Sequence, residues 1–376
     1  MPSLKSKLLY GALKSVKPLL TGVDIPKQRK GMDLLRYVYA LPKSVELRKA
    51  EGGIRGEWAI PADAVPDKVI LYSHGGAYIS GSPSTHEPII CRLAEQSHIP
   101  VFAYPYRLAP ENPFPAALED ARAAVTYLQA QGYALPDMVF CGDSAGGGLT
   151  LSLTMALRDE RSELPAALVV ISPWTDLAMA RRSHRANEPI DPLLSMNELR
   201  RAARLYAGDT PVRDPYISPL YGDFTGFPPT LIHVGSEEML LDDAKELATA
   251  MDAQGVCADI DIYEGMFHVW HQYDLPEAHA AMEKITSFMY MTLEIGGERR
   301  REIRIGGRYR HFKGRDYRVL HVARDSETLE ELVVYQQLYG EGGIWVRPQA
   351  MFLEYIERGG RRIPRFAEVE EDREQG

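Results

Sequence analysis

Between Val45 and about Phe288, short β-branched runs alternate with longer segments of helical period, and no other feature limits the choice of fold as tightly. VILYS (69–73), PVFAY (100–104), MVFCG (138–142), ALVVIS (167–172), TLIHV (230–234) and ADIDIY (258–263) read as strands. IICRLAEQ, AALEDARAAVTYLQA, the stretch from Ser144 to Leu157, LDDAKELATAMDAQG and PEAHAAMEKITSFMYMTL read as the intervening and closing helices. Strand, helix and strand in repetition predict an α/β fold with a mostly parallel central sheet, preceded by an antiparallel hairpin in VELRKAEGGIRGEWAI (45–60). Two segments fall outside the alternation: residues 1–44 and an insert over about 181–227 that carries the helix MNELRRAARLYAG. Both are candidates for a helical cap. The first is either a solvent-facing cover with an apolar underside or an element that gates substrate.

At IGGERRR (295–301) the composition turns abruptly to Gly and Arg, which sets a domain boundary after the α/β unit spanning 45–292. Beyond it YRVLHVA and GIWVRP predict strands of a small β-rich domain over 303–370. The tail of the chain is arginine-rich from Arg299 to Arg315 and acidic from Glu368 to Glu374. A solvated face with charges pairing inside the unit accounts for this, and a basic patch for RNA or an anionic ligand is the sharper alternative.

A formal net charge of -9 opposes general affinity for nucleic acid or an anionic membrane, so a small neutral substrate fits better. The three cysteines, Cys91, Cys141 and Cys257, form no CxxC pair, which suits a reducing cytoplasm and no metal. Lysines interrupt the N-terminal apolar run and no cleavage site follows it, so no signal peptide is expected. No segment reaches the roughly 20 apolar residues of a membrane span. LLYGALKSVKPLL beside its lysines leaves contact with a membrane surface as a lesser reading, and stable membrane association is not expected. Oligomeric state is unconstrained, a homodimer being compatible with the sequence.

The chemistry concentrates in four places. GDSAGG (142–147) sets a GxSxG motif between a strand and a helix, the context of a nucleophile elbow, with Ser144 as the attacking group. Gly142 and Gly146 allow neighbouring backbone to approach that turn. HGGAY (74–78) follows the strand VILYS, and the backbone N–H groups of Gly75, Gly76 and Ala145 are candidates for an oxyanion hole. His74 reads as a residue bracing that loop. A serine hydroxyl needs a base, and of the ten histidines His268 is placed best, in the loop EGMFHVW after the strand ADIDIY. His271 is its nearest rival, while His233 lies inside a strand. The acid that orients the base belongs in GSEEMLLDD (235–243), where Glu237, Glu238, Asp242 and Asp243 compete and spacing does not separate them.

With these residues in view, residues 1 to about 292 resemble the bacterial hormone-sensitive lipase family of carboxylesterases. HGGAY, YRLAPENPFPAALEDA, GDSAGGGL, SPWTDL, PPTLIHVGSEEMLLDDA and GMFHVWH carry the likeness, in the family's order. The resemblance implies an α/β-hydrolase fold with a cap built from the N-terminal segment and the 181–227 insert. It puts the nucleophile on Ser144, the base on His268 and the acid on Glu238, with Asp242 as runner-up. It further implies hydrolysis of short to medium acyl esters through an acyl-enzyme, without a cofactor. Thioesterase, amidase and arylesterase activities share this machinery, and a non-catalytic binding protein is the reading from another class. Two departures stand out: the family's HGGG is HGGA here, and the Asp that often precedes YRLAPE is Pro105. Residues about 308–356 resemble a small bacterial domain of unknown function, which implies nothing about activity.

Overall fold

The computed structural model describes residues 2–35, 41–295, 303–326, 331–340, 342–353, 355–358 and 361–369. The chain divides into two compact units, 1–296 and 297–376. The GGERRR part of the boundary motif and the acidic run from 370 onward lie outside the described residues.

The first unit opens with helices α1 (Leu4–Leu20) and α2 (Ile25–Leu35), followed by the hairpin β1 (Val45–Lys49) and β2 (Glu57–Pro61). Then come β3 (Val69–Ser73), α3 (Glu87–Ser97), β4 (Val101–Ala103), α4 (Ala116–Ala130), β5 (Met138–Asp143), α5 (Ala145–Asp159) and β6 (Ala167–Ile171). The insert contributes α6 (Ser183–Ala186) and α7 (Met196–Ala207), and the unit closes with β7 (Thr230–Gly235), α8 (Leu241–Ala253), β8 (Ala258–Tyr263) and α9 (Pro276–Thr292).

The eight strands form one sheet in the order β1-β2-β4-β3-β5-β6-β7-β8. β1, β2 and β4 pair antiparallel and every later neighbour pairs parallel. Side chains alternate across a strand, so each strand feeds two apolar layers. Leu71, Phe140, Leu168 and Ile232 join α4, α5 and α8 on one face. Ile70, Val139, Val169 and Leu231 join α3 and α9 on the other. Strands covered on both sides must be apolar throughout, and β3, β5, β6 and β7 are buried at every position. The edge strand β8 has no fully buried residue, and its aspartates alternate with Ile and Tyr.

This strand order decides where chemistry can occur. β3 lies centrally, with β4 on one side and β5 on the other, so the chain changes direction there and the loops after β3 and β5 border one crevice at the carboxyl end of the sheet. Ser73 pairs with Gly142 in register, which brings HGGAY beside GDSAGG.

In the second unit, β9 (Arg308–His311), β10 (Asp316–Arg324), β11 (Glu331–Gln337) and β12 (Ile344–Pro348) are followed by α10 (Gln349–Leu353), β13 (Tyr355–Arg358), β14 (Arg361–Pro364) and β15 (Phe366–Glu368). Five of the strands make an antiparallel sheet, β12-β11-β10-β9-β15, and β13 pairs with β14. Tyr309, Val319, Val333, Tyr335, Phe352 and Phe366 form its buried core, with Phe352 stacked on Phe366 at 4.2 Å. On the predicted arginine-rich stretch, Arg308 and Arg310 both pair with Asp316, so part of that charge is answered within the unit.

Candidate active site

The turn between β5 and α5 places Ser144. Its backbone sits at φ 53° and ψ -120°, a conformation that costs a side-chain-bearing residue roughly 1–3 kcal/mol and persists only where its surroundings enforce it. Three backbone bonds do so: Ser144 N–H donates to Ile171 O at 2.8 Å, and Ser144 O accepts from Trp174 at 2.9 Å and Gly148 at 3.2 Å. The flanking glycines are fixed by space. A Cβ on Gly142 would stand 2.4 Å from Gly146 O, and one on Gly146 would stand 2.0 Å from Ser73 O.

His268 follows β8, its ring buried beside the serine. Nε2 lies 3.0 Å from Ser144 Oγ, and Nδ1 lies 3.0 Å from Glu238 Oε2. Glu238 is fully buried, and its other oxygen accepts from Gly235 N–H at 2.6 Å and from Ser172 Oγ at 2.8 Å. Burial raises the Glu238 carboxyl above its ordinary range, opposed by its bonds to His268, Gly235 and Ser172. For His268, burial works against the imidazolium, but the bond to Glu238 and the charges of Glu238, Asp191 and Asp143 outweigh it and raise the ring above its usual value.

The other carboxylates of the loop are occupied elsewhere. Asp242 accepts from Ser183 N–H at 2.8 Å, and Asp243 accepts from Thr175 and Asp176 N–H while pairing with His184 at 2.5 Å. Glu237 is held through its backbone to Met266 O, and no hydrogen bond joins its side chain to His268. His233 and His271 are buried against each other, Nδ1 to Nε2 at 3.2 Å, and burial pushes both rings down. His74 stacks on Tyr106 at 4.1 Å and turns Nδ1 to Gly75 O, and burial pulls its ring down to about 3.

The oxyanion loop departs from expectation at one residue. Gly75 N–H donates to Asp143 Oδ1 at 3.0 Å, and a Cβ at Gly75 would lie 2.2 Å from Asp143 Oδ2. That amide, expected to be free for an oxyanion, is engaged inside the protein by Asp143. The N–H groups of Gly76 and Ala145 have no protein acceptor among the described residues. Ala77, where the resembling family has glycine, adopts φ 54°. Pro105 is exposed, and Tyr106 beside it donates its hydroxyl to His74 O at 2.9 Å, bracing the same loop.

Several residues of the site had no role in the sequence reading. Ser172 donates to Glu238 and accepts Val269 N–H at 3.1 Å, so one hydroxyl joins Glu238 to the loop that carries His268. From the insert, Asn187 donates to Glu238 O at 2.8 Å and Asp191 accepts Met239 N–H at 2.9 Å. Lys17 of α1 in turn donates to Asp191 O at 2.6 Å and Glu188 O at 3.0 Å. SPWTDL was visible as a motif, but nothing in its spacing says which side chain Ser172 faces.

Residues 70–272 match the family model described as the α/β hydrolase fold, and residues 307–368 match a family of unknown function. An acetyl-hydrolase of Streptomyces hygroscopicus is 44% identical over 63% of this chain and 80% of its own length. An esterase of Acinetobacter venetianus is 34% identical over 69% of this chain and 87% of its own length. Among solved structures, an esterase from the bacterial hormone-sensitive lipase family superposes with a TM-score of 0.75 at 35% identity, covering 78% of this chain and 99% of its own. EstE5 soaked with p-nitrophenyl butyrate superposes at 0.74 and 33% identity, over 78% of this chain and 99% of its own.

Proposed function

Because the chain belongs to the α/β-hydrolase family, in its hormone-sensitive lipase branch of carboxylic ester hydrolases, we propose that Ser144, His268 and Glu238 carry out its ester hydrolysis. The single observation that carries this reading is the unbroken line Ser144 Oγ, His268 Nε2, His268 Nδ1, Glu238 Oε2, with both contacts at 3.0 Å.

Ser144 Oγ attacks the ester carbonyl as His268 Nε2 takes its proton. Nδ1–H stays bonded to Glu238, whose negative charge stabilises the imidazolium that forms. Negative charge developing on the carbonyl oxygen falls to the N–H groups of Gly76 and Ala145, donors already fixed in place. The imidazolium protonates the leaving alkoxide, which departs and leaves an acyl group on Ser144. Water, deprotonated by the same ring, then releases the carboxylic acid and restores the hydroxyl. Every proton taken is returned, so no cofactor enters the cycle.

Short to medium acyl esters are the proposed substrates, the short end supported by the relative named as an acetyl-hydrolase. We assign catalysis to residues 45–292, with residues 1–44 and 181–227 as the cap, and treat 303–370 as a separate domain. The bonds of Lys17, Asn187 and Asp191 support the cap assignment: the insert bonds directly to the loop that holds Glu238, and α1 bonds to the insert. Three unpaired cysteines, two of them buried, support a reducing cytoplasmic setting; among the described residues no helix is long and apolar enough to cross a membrane.

The test is hydrolysis of p-nitrophenyl esters of rising acyl length by the full chain and by Ser144→Ala. Turnover of the short esters by the wild type and a loss of about 10³-fold or more in kcat for the variant are expected. A variant that keeps its rate would remove Ser144 from the mechanism.

A further inference from the structure

Asp143 precedes the nucleophile and is 2% exposed, yet its carboxylate makes no hydrogen bond to Ser144, His268 or Glu238 and turns instead to Tyr72, Gly75 and His86. A buried carboxylate needs partners, and this one has three. Oδ1 accepts from Tyr72 Oη at 2.6 Å and from Gly75 N–H at 3.0 Å, while Oδ2 faces His86 Nε2 at 3.4 Å.

His86 is held between Asp143 and the turn at Ser82–Thr85: Nδ1 lies 2.9 Å from Thr85 Oγ1 and 3.1 Å from Ser82 O, and Nε2 lies toward the carboxylate. A ring in that position takes charge readily. Burial disfavours that charge, but the Asp143 charge and hydrogen bond more than offset burial and raise the ring. Asp143 is lowered in turn, burial being outweighed by His86, Tyr72 and His74.

Taking the serine mechanism above as its premise, we infer that Asp143 is a positioning residue for oxyanion stabilisation. Its carboxylate, clamped by Tyr72 and His86, holds the Gly75 amide and thereby fixes the direction of the next amide, that of Gly76. Consecutive peptide groups share one Cα, so anchoring the first restricts the second to the rotations allowed about Gly75. The space is equally committed: a Cβ at Gly76 would stand 2.2 Å from Ser80 O, and Gly76 O accepts from the N–H groups of Ile79 and Ser80. One side chain adjacent to the nucleophile thus sets the loop that must meet the same carbonyl oxygen.

The experiment uses the full chain with p-nitrophenyl acetate and a trifluoromethyl ketone, which adds to the serine as a tetrahedral adduct and reports transition-state binding. Asp143→Ala removes the acceptor for Gly75. It should lower kcat and weaken the ketone in parallel, each by on the order of 10- to 100-fold, short of or equal to the loss of a whole oxyanion donor, with KM changed less than about threefold. Asp143→Asn keeps an oxygen for Tyr72 and Gly75 and should restore at least about tenfold of the lost ketone affinity. Tyr72→Phe keeps the ring and its packing, the mildest of the three changes, and should weaken both quantities together by about threefold or more.

Ketone affinity within about twofold of the wild type in Tyr72→Phe and in folded Asp143→Ala overturns the inference, as does a change confined to KM. Should Asp143→Ala fail to fold, Tyr72→Phe decides on the same criterion. Ser144→Ala, run alongside, separates the two levels. If that variant stays active the serine mechanism is wrong, whereas its inactivity with unaltered ketone affinity in the Asp143 and Tyr72 variants removes the positioning role alone.

Discussion

Replacing Ser172 with alanine should damage both the stability of the catalytic unit and its turnover, because one buried hydroxyl makes two connections there. It donates to Glu238 Oε1 at 2.8 Å and accepts Val269 N–H at 3.1 Å. Ser172 is fully buried, so water does not replace what is removed. A hydrogen bond to a charged group contributes about 1.5–3 kcal/mol, and a buried amide left without an acceptor costs about 1–3 kcal/mol. The two losses share one atom and do not add fully, which puts the destabilisation at about 3 kcal/mol. For a unit spanning residues 1–296, that corresponds to a fall in Tm of roughly 5 °C. Turnover should fall as well. Val269 adjoins His268, and Glu238 would keep only Gly235 N–H and His268 as donors, so its carboxylate would be less favoured and its pKa would rise further. Differential scanning calorimetry and kcat on p-nitrophenyl acetate would be measured for the same preparations. A Tm within about 1 °C of the wild type together with an unchanged kcat would refute a link through this hydroxyl between Glu238 and the His268 loop.

Two further expectations concern the same site. His268 is raised above its ordinary value by Glu238, Asp191 and Asp143, and in the proposed mechanism only its neutral form accepts the serine proton; kcat/KM should therefore fall as pH drops through a value above about 6.5. A pH profile whose acid limb lies below about 6 would contradict that electrostatic reading. Gly146→Ala would drive a methyl group to 2.0 Å from Ser73 O and 2.6 Å from His74 O, both backbone atoms that cannot rotate away. The strand end and oxyanion loop must shift, so activity should drop by about 100-fold or more alongside a destabilisation of roughly 1–3 kcal/mol, read by kinetics and thermal melting; a variant with wild-type kcat would show that the close approach is not needed.

Much of this molecule is written locally. An all-apolar run such as VILYS can satisfy both faces only inside a covered sheet, and a serine between Gly142 and Gly146 at a strand-to-helix turn fits the elbow that forms there. His268 was legible for a related reason, since a histidine just past a strand lies at the carboxyl edge where the crevice opens. Choices among near-equivalent groups were not legible. Glu237, Glu238, Asp242 and Asp243 have almost the same sequence surroundings, and spacing left the choice open, with only the family resemblance favouring Glu238. The direction of each side chain in the folded loop brings Glu238 to His268 and turns Asp242 and Asp243 toward Ser183 and His184.

Gly75 shows the same division from the opposite side. Two adjacent glycines offer identical amides on paper, and both were expected to face the oxyanion. Asp143, 68 residues away along the chain, takes the first of them. Ser172 likewise gains its place only when β6 lies beside β7 and the loops beyond them meet. Periodicity and turn chemistry act over a few residues, and they suffice to dictate the layered fold and the chemical kinds present. Which carboxylate meets the base, and which amides remain free, is settled only once distant segments pack together, because hydrogen bonds depend on ångström-scale distance and direction between groups far apart in the chain.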